Sequence, residues 1–301
     1  MTILVAGGSG RLGRLIVHLL AADGEQVRVL TRNPAAAEEL SALGVETVVG
    51  DLRNAGAVRQ AVDGCVRVVA AASGFGPMGS SSPKSVDRDG NLALVDESVR
   101  VGIEHFVLVS MHGAAPDASL ELLRMKYAAE QAVVSSGLNW TIIRPTAFLE
   151  TYLEVVAQPM RGRGATLVFG RGDIAINFVS VDDVVALVRE TLRRPDAMGQ
   201  TIEWGGVDLT LNDLSDALHA AAGRPGKTIH VPFALLRAIS VAARPLSPFA
   251  SRVATAAVEM NHPSEPFDFA VERARHPEIM RRSLTAAITS ANSLLSERGS
   301  D

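Results

Sequence analysis

Gly7, Gly10 and Gly13 have the spacing needed to hold phosphate. The run Thr2-Ile3-Leu4-Val5-Ala6-Gly7-Gly8-Ser9-Gly10-Arg11-Leu12-Gly13 passes from a short apolar segment straight into a helical pattern of Leu12, Leu15, Ile16, Leu19 and Leu20. Gly7 permits a tight strand-to-helix turn, Gly10 lets backbone approach a pyrophosphate, and Gly13 lets the helix lie close on the strand. The helix opening then presents N–H groups and a positive dipole end to the anion. Gly7, Gly8, Ser9, Gly10, Arg11, Leu12 and Gly13 are therefore expected to cradle a dinucleotide.

The end of the second strand selects between dinucleotides. An acid there would grip the adenine-ribose diol of NAD. The stretch Val29-Leu30-Thr31-Arg32-Asn33 has no acid and offers Arg32, whose planar fork can stack on adenine and pair with a 2′-phosphate. Arg11 and Arg14 add positive charge nearby, so NADP(H) is favoured over NAD(H). Asp51-Leu52 follows the third strand, where the carboxylate could accept from the adenine amino group or cap the next helix. Ala70, Ala71 and Ala72 end the fourth strand with side chains small enough to let ribose and pyrophosphate cross the sheet edge.

The elements that must position these groups alternate along the chain. Apolar strands are expected at 3–6, 27–30, 45–49, 66–70, 106–109 and 140–143, with helices at 35–43, 54–62, 84–101 and 119–136 between them. Continuous apolar strands spaced by helices imply a parallel sheet buried on both faces, and right-handed crossovers make it a doubly wound (Rossmann) α/β fold. Residues 1–145 form the expected nucleotide-binding domain. Residues 146–301 form a smaller, interleaved substrate lobe, whose segments around 165–204 are expected to return to the main sheet. Within that lobe, helices are expected at 181–192 and 210–222, and residues 233–260 read as mostly helical and apolar, broken at Pro245 and Pro248. A last amphipathic helix is expected from Ser283 to Leu295.

Bulk properties exclude several classes. The formal net charge of −4 over 301 residues leaves no electrostatic footprint for nucleic acid. No apolar run approaches the ~18 to 20 residues of a membrane span, and nothing near Met1 reads as a signal peptide. No membrane partner is expected, and a soluble cytoplasmic chain acting on a small molecule is. The single cysteine, Cys65, rules out an internal disulfide and a cysteine-cluster metal site, and no metal is expected.

Taken together, Gly7-Gly8-Ser9-Gly10-Arg11-Leu12-Gly13, Asp51-Leu52, Val86-Asp87-Arg88-Asp89-Gly90-Asn91, Phe106-Val107-Leu108-Val109-Ser110, Trp140-Thr141-Ile142-Ile143-Arg144-Pro145 and Val179-Ser180-Val181-Asp182-Asp183-Val184 resemble the short-chain dehydrogenase/reductase superfamily. The resemblance is to its atypical NmrA-like and isoflavone-reductase-like branch, and it covers residues 1 to about 190. It implies a serine after the fifth strand and a tyrosine and lysine four apart on the next helix. Ser110 stands at the serine position. Aligning the Ala128-Ala129-Glu130 tail puts Lys126 at the lysine position, as nicotinamide-ribose ligand and proton-relay residue, and leaves Leu122 where the tyrosine should be. Tyr127 lies five residues past Leu122, about 140° around the helix, and does not replace it.

The resemblance therefore implies chemistry without the usual phenol. His112, two residues past Ser110, is a further candidate acid near neutral pH. Pro145, at the hinge after the sixth strand, joins the implied cofactor contacts. Phe148, Leu149, Tyr152, Leu153 and the helix from Phe233 read as walls of an apolar pocket or as ordinary core, and residues 75–78 with Tyr152 as its mouth. Asn91 reads as a structural hydrogen-bonder. The expected activity is an NADPH-dependent reductase of a small, largely apolar carbonyl or enone. The alternatives are an NADP-binding redox sensor with little turnover and, third, a nucleotide-sugar epimerase or dehydratase. Related proteins often dimerise through paired helices, so a homodimer is allowed.

Overall fold

The computed structural model describes residues 1–75, 81–160, 164–223, 226–262, 267–279 and 288. It divides into two compact units, one formed by residues 1–145 with 184–204, the other by residues 146–183 with 205–301.

In the first unit, apolar strands and amphipathic helices alternate as their periodicities require. The strands are β1 (Thr2–Ala6), β2 (Gln26–Thr31), β3 (Glu46–Val49), β4 (Cys65–Ala70), β5 (His105–Val109) and β6 (Trp140–Pro145). Between them run α1 (Arg11–Ala22), α2 (Pro34–Ser41), α3 (Ala55–Val62), a π-helical turn at Lys84–Gly90 continuing as α4 (Asn91–Val101), and α5 (Glu121–Ser135). A later strand, β10 (Gln200–Trp204), completes a seven-stranded sheet of order β10-β6-β5-β4-β1-β2-β3. Every pairing in it is parallel. This is the doubly wound sheet, and its order reverses between β1 and β4, the switch point beside whose strand ends such sheets bind ligands. All five residues of β5 are buried, as befits a parallel strand covered on both faces. Leu4, Ala6, Val68, Phe106, Leu108 and Ile142 share one core with the apolar faces of α3, α4 and α5.

The second unit has two small sheets. Residues Ala147–Phe148 (β7), Ile176–Val179 (β9) and Val207–Leu209 (β11) form one, in the order β11-β9-β7. Ala165–Phe169 (β8) pairs in parallel with Lys227–Val231 (β12). Of the segments read as strands between 165 and 204, then, only Gln200–Trp204 joins the main sheet. It has the buried alternation for it, with Ile202 and Trp204 inward. The helix Leu149–Ala157 (α6) packs Leu149, Leu153 and Val156 on Phe178, Leu214 and Leu218. The buried Glu150 carboxylate accepts from Ser180 Oγ at 2.6 Å and from Val181 N at 3.0 Å, holding the opening of α7 (Val181–Thr191). Helices Leu211–Ala221 (α8), Phe233–Ala242 (α9), Pro248–Glu259 (α10) and Ala270–Arg275 (α11) follow. The helix expected at 283–295 lies outside the described residues except for Ile288, as do residues 76–78 of the expected pocket mouth.

Candidate cofactor and active site

The glycine turn links β1 to α1, and its shape depends on missing side chains. Gly7 has φ +90°, and a Cβ there would lie 2.7 Å from the Ala72 backbone. At Gly13 a Cβ would meet the Gly7 carbonyl oxygen at 2.2 Å, and at Gly8 it would strike Val29 at 2.7 Å. Gly10 differs, since its nearest neighbour would be the Gly7 oxygen at 3.4 Å. Three glycines thus close the turn on β1, β2 and β4, and the fourth leaves an open approach. Gly10 precedes α1, which has no side-chain cap and no acid in its first turn. The donor set and the open approach suit a pyrophosphate.

Around the end of β2, Thr31 Oγ1 donates to Ser9 Oγ at 2.8 Å, which ties the turn to the strand. Arg32 follows, part-exposed, donating to Ser81 Oγ and standing 3.8 Å from Asp51 Oδ2. The Asp51 carboxylate is clasped by Arg53, Nε at 2.9 Å and Nη2 at 2.7 Å, with the Arg53 backbone N–H at 2.8 Å. That hydrogen-bonded guanidinium holds Asp51 below the usual carboxylate range. The cap of α3 is Asn54, not Asp51, because Asn54 Oδ1 accepts from Gly56 N and Ala57 N. Leu52 turns into the core against Gly90, Arg14 faces Glu39 at 2.6 Å, and Arg11 begins α1. Ala70 is buried, Ala71 N donates to Ala6 O at 2.9 Å, and Ala72 backs the turn.

Ser110 ends β5, next to β4. Its N–H donates to Ile143 O at 2.8 Å, while its buried Oγ has no hydrogen-bond partner among the described residues. A buried hydroxyl left unpaired costs free energy that a bound group can recover.

Lys126 lies on α5, 5% exposed, and its ammonium points at protein. Asp87 Oδ1 is 3.1 Å away, Val109 O 3.0 Å and Ala72 O 3.5 Å. Asp87 is fully buried on the π-helical turn, and its other oxygen accepts from Gly74 N at 2.8 Å. Asn91 Nδ2 donates to the Asp87 carbonyl at 2.9 Å, a structural bond inside that turn. The lysine therefore ties α5 to the ends of β4 and β5. The motif Val86-Asp87-Arg88 shows an acid opening the helix after β4, but its pairing with Lys126 is visible only in the fold.

His112 sits beyond β5. Its backbone N–H donates to Pro145 O at 2.9 Å, and Nδ1 lies 3.1 Å from Glu203 Oε2. Glu203 also accepts from Arg144 Nη1 at 3.2 Å. Arg144 is in turn held by the buried Glu130 through two bonds of 2.9 and 2.6 Å, which raises the guanidinium's already high pKa. This Glu130–Arg144–Glu203–His112 chain was not foreseen, because its members come from α5, β6, β10 and a loop. In the second unit, Leu149 and Leu153 are buried in that unit's core, and Tyr152 packs edge-on to Phe178 with centroids 5.2 Å apart.

Comparison with known proteins bears on the family and the fold. A family model described as NAD(P)H-binding matches residues 7–195. The NAD(P)H azoreductase of Xenophilus azovorans is 31% identical over 230 residues, covering 76% of this chain and 77% of that protein. The photosystem II assembly factor Ycf39 of Trieres chinensis is 26% identical over 241 residues, covering 80% and 75%. Among solved structures, the triphenylmethane reductase of a Citrobacter species complexed with NADP(H) superposes with a TM-score of 0.78 at 18% identity, covering 96% of this chain and 99% of that one.

Proposed function

The chain belongs to the NAD(P)H-binding family of oxidoreductases, and we propose that it is an NADPH-dependent reductase of a small, largely apolar carbonyl or enone. One observation carries the reading. A glycine turn that only missing side chains allow stands on β1, two strands from a buried serine hydroxyl that follows β5 and has no hydrogen-bond partner among the described residues. At ~4.8 Å per strand that separation is about 10 Å, within the span of a dinucleotide laid across the sheet edge. Gly7, Gly8, Ser9, Gly10, Arg11, Leu12 and Gly13 would hold the pyrophosphate, and Ala70, Ala71, Ala72 and Pro145 would border the nicotinamide half.

NADPH, when bound, supplies a hydride to the electrophilic atom of the substrate's double bond. Ser110 Oγ donates a hydrogen bond to the substrate oxygen as charge builds there. His112, oriented by Glu203, delivers the proton that completes the reduction. Lys126 acts through position, since its three donors face Asp87, Val109 O and Ala72 O and so hold the strand ends that carry Ser110 and Ala72. A relative named as an NAD(P)H azoreductase supports a reductase reading.

Arg32 supports NADPH over NADH. No acid stands beside it at the end of β2, and the charge of nearby Asp51 is already countered by Arg53. The test is a titration with NADPH and with NADH, following nicotinamide fluorescence. Arg32→Ala is expected to weaken NADPH about tenfold, towards the NADH value, while leaving NADH unchanged. Absence of binding by either nucleotide overturns the reading.

A second reading has its own observation. With Leu122 in place of the tyrosine and the Lys126 ammonium facing protein acceptors, the chain could bind NADP and signal its redox state without turnover. The assembly-factor relative suits that role. NADPH binding with no oxidation by a panel of enones, quinones and azo dyes would favour it.

A further inference from the structure

Between Asp216 and Glu259 the chain carries no acidic residue, yet it holds Arg224, Lys227, Arg237, Arg244 and Arg252, in a protein whose net charge is −4. Within this stretch α9 and α10 pack side by side, joined by a turn at 243–247. Among the described residues the outer side of α9 is apolar and exposed. Ala234, Leu235, Ala238, Val241, Ala242 and Pro245 are exposed, Leu235 to 49% and Val241 to 63%. At about 100° per residue Ala234, Leu235, Ala238, Val241 and Ala242 fall in one stripe roughly 120° wide, with exposed Arg237 along one border, and exposed Arg244 and Pro245 follow in the turn. Leu246, at the tip of the turn, is 88% exposed.

We propose that the α9 stripe and the turn bearing Leu246 form a docking surface for an anionic lipid bilayer. The chemistry is that of an interfacial helix. Val241, Pro245 and Leu246 enter the acyl boundary, while the stems of Arg237 and Arg244 lie along it and their guanidinium groups reach lipid phosphates. No helix among the described residues is long and apolar enough to cross a membrane, which concerns spanning and leaves surface attachment open. A second copy of the chain fits this face less well, because the acid-free stretch offers neither arginine an opposite charge. Attachment would bring the protein to apolar substrates dissolved in the bilayer, but the proposal does not depend on the reductase reading.

The experiment is co-sedimentation of the full chain with vesicles of phosphatidylcholine alone or containing about one third phosphatidylglycerol. Binding is expected to the anionic vesicles only, and to fall with added salt. Leu246→Asp should reduce it at least tenfold, and Arg244→Glu about fivefold or more. Both positions are exposed, so unchanged NADPH fluorescence or circular dichroism certifies the fold of each variant. The proposal is overturned by no binding to anionic vesicles, or by equal binding of the wild type and Leu246→Asp. A concentration-dependent dimer that Leu246→Asp abolishes, with no vesicle binding, would assign the face to a second copy instead.

Discussion

Two almost wholly buried charges, Lys126 and Asp87, meet at 3.1 Å, and each has further polar partners. Breaking one side of such a pair strands the other in low dielectric, at about 3–5 kcal/mol, whereas removing both is milder. Urea unfolding should therefore show Lys126→Met and Asp87→Asn each strongly destabilising, with the double variant well short of their sum. Ser110 behaves differently. Its hydroxyl has no hydrogen-bond partner among the described residues, so Ser110→Ala should leave stability and NADPH affinity near wild type while lowering turnover on a reducible enone by about 100-fold. Steady-state kinetics beside the fluorescence titration would separate the two effects. His105 is a third kind of buried polar residue. Thr141 donates its one hydroxyl proton to Ala197 O, so His105 Nε2 must donate to Thr141. Burial lowers the His105 pKa from 6.5 to about 4. The unfolded chain thus binds this proton at higher pH than the folded one. The stability is complete above about 6.5 and is lost as pH falls towards 4, by on the order of 3 kcal/mol. His105→Gln, which keeps a donor without a titrating group, should flatten that part of a pH-dependent unfolding curve.

At the scale of elements, the strand–turn–helix at the chain start is tightly constrained. A methyl group at Gly13 would meet the Gly7 carbonyl oxygen at 2.2 Å, and backbone rather than a flexible side chain would have to move. Gly13→Ala should therefore lift α1 off β1, abolish NADPH binding and destabilise the first unit by about 2 kcal/mol or more, checked by titration and thermal unfolding. The change from a π-helical turn to α4 at Gly90–Asn91 is another element-level device. The wider turn carries Asp87 to the ends of β4 and β5, where the Gly74 amide and the Lys126 ammonium meet it. The sequence shows only a continuous helical pattern across residues 84–101, because periodicity cannot distinguish one extra residue in a turn.

For the whole molecule, a ligand bound only by the folded state raises apparent stability by mass action, about 2.7 kcal/mol at a hundredfold excess over Kd. Saturating NADPH should raise Tm of the wild type more than equimolar NADH does, and Arg32→Ala should bring the two shifts together; identical shifts in the wild type would remove the argument for NADPH. What the sequence determined by itself was local or periodic. Apolar strands alternating with amphipathic helices encode the doubly wound sheet, and the glycine spacing over residues 7–13 encodes the strand-to-helix turn, while the closing of Gly7 on Ala72 and of Gly8 on Val29 belongs to the folded sheet. The tertiary structure decided what depends on distant groups meeting. The capture of Lys126 by Asp87, the chain from Glu130 to His112 and the return of Gln200–Trp204 to β6 are such cases. A charge has no signature in the sequence for which opposite charge will neutralise it. That choice is made when burial removes water and the nearest partner across the fold takes its place.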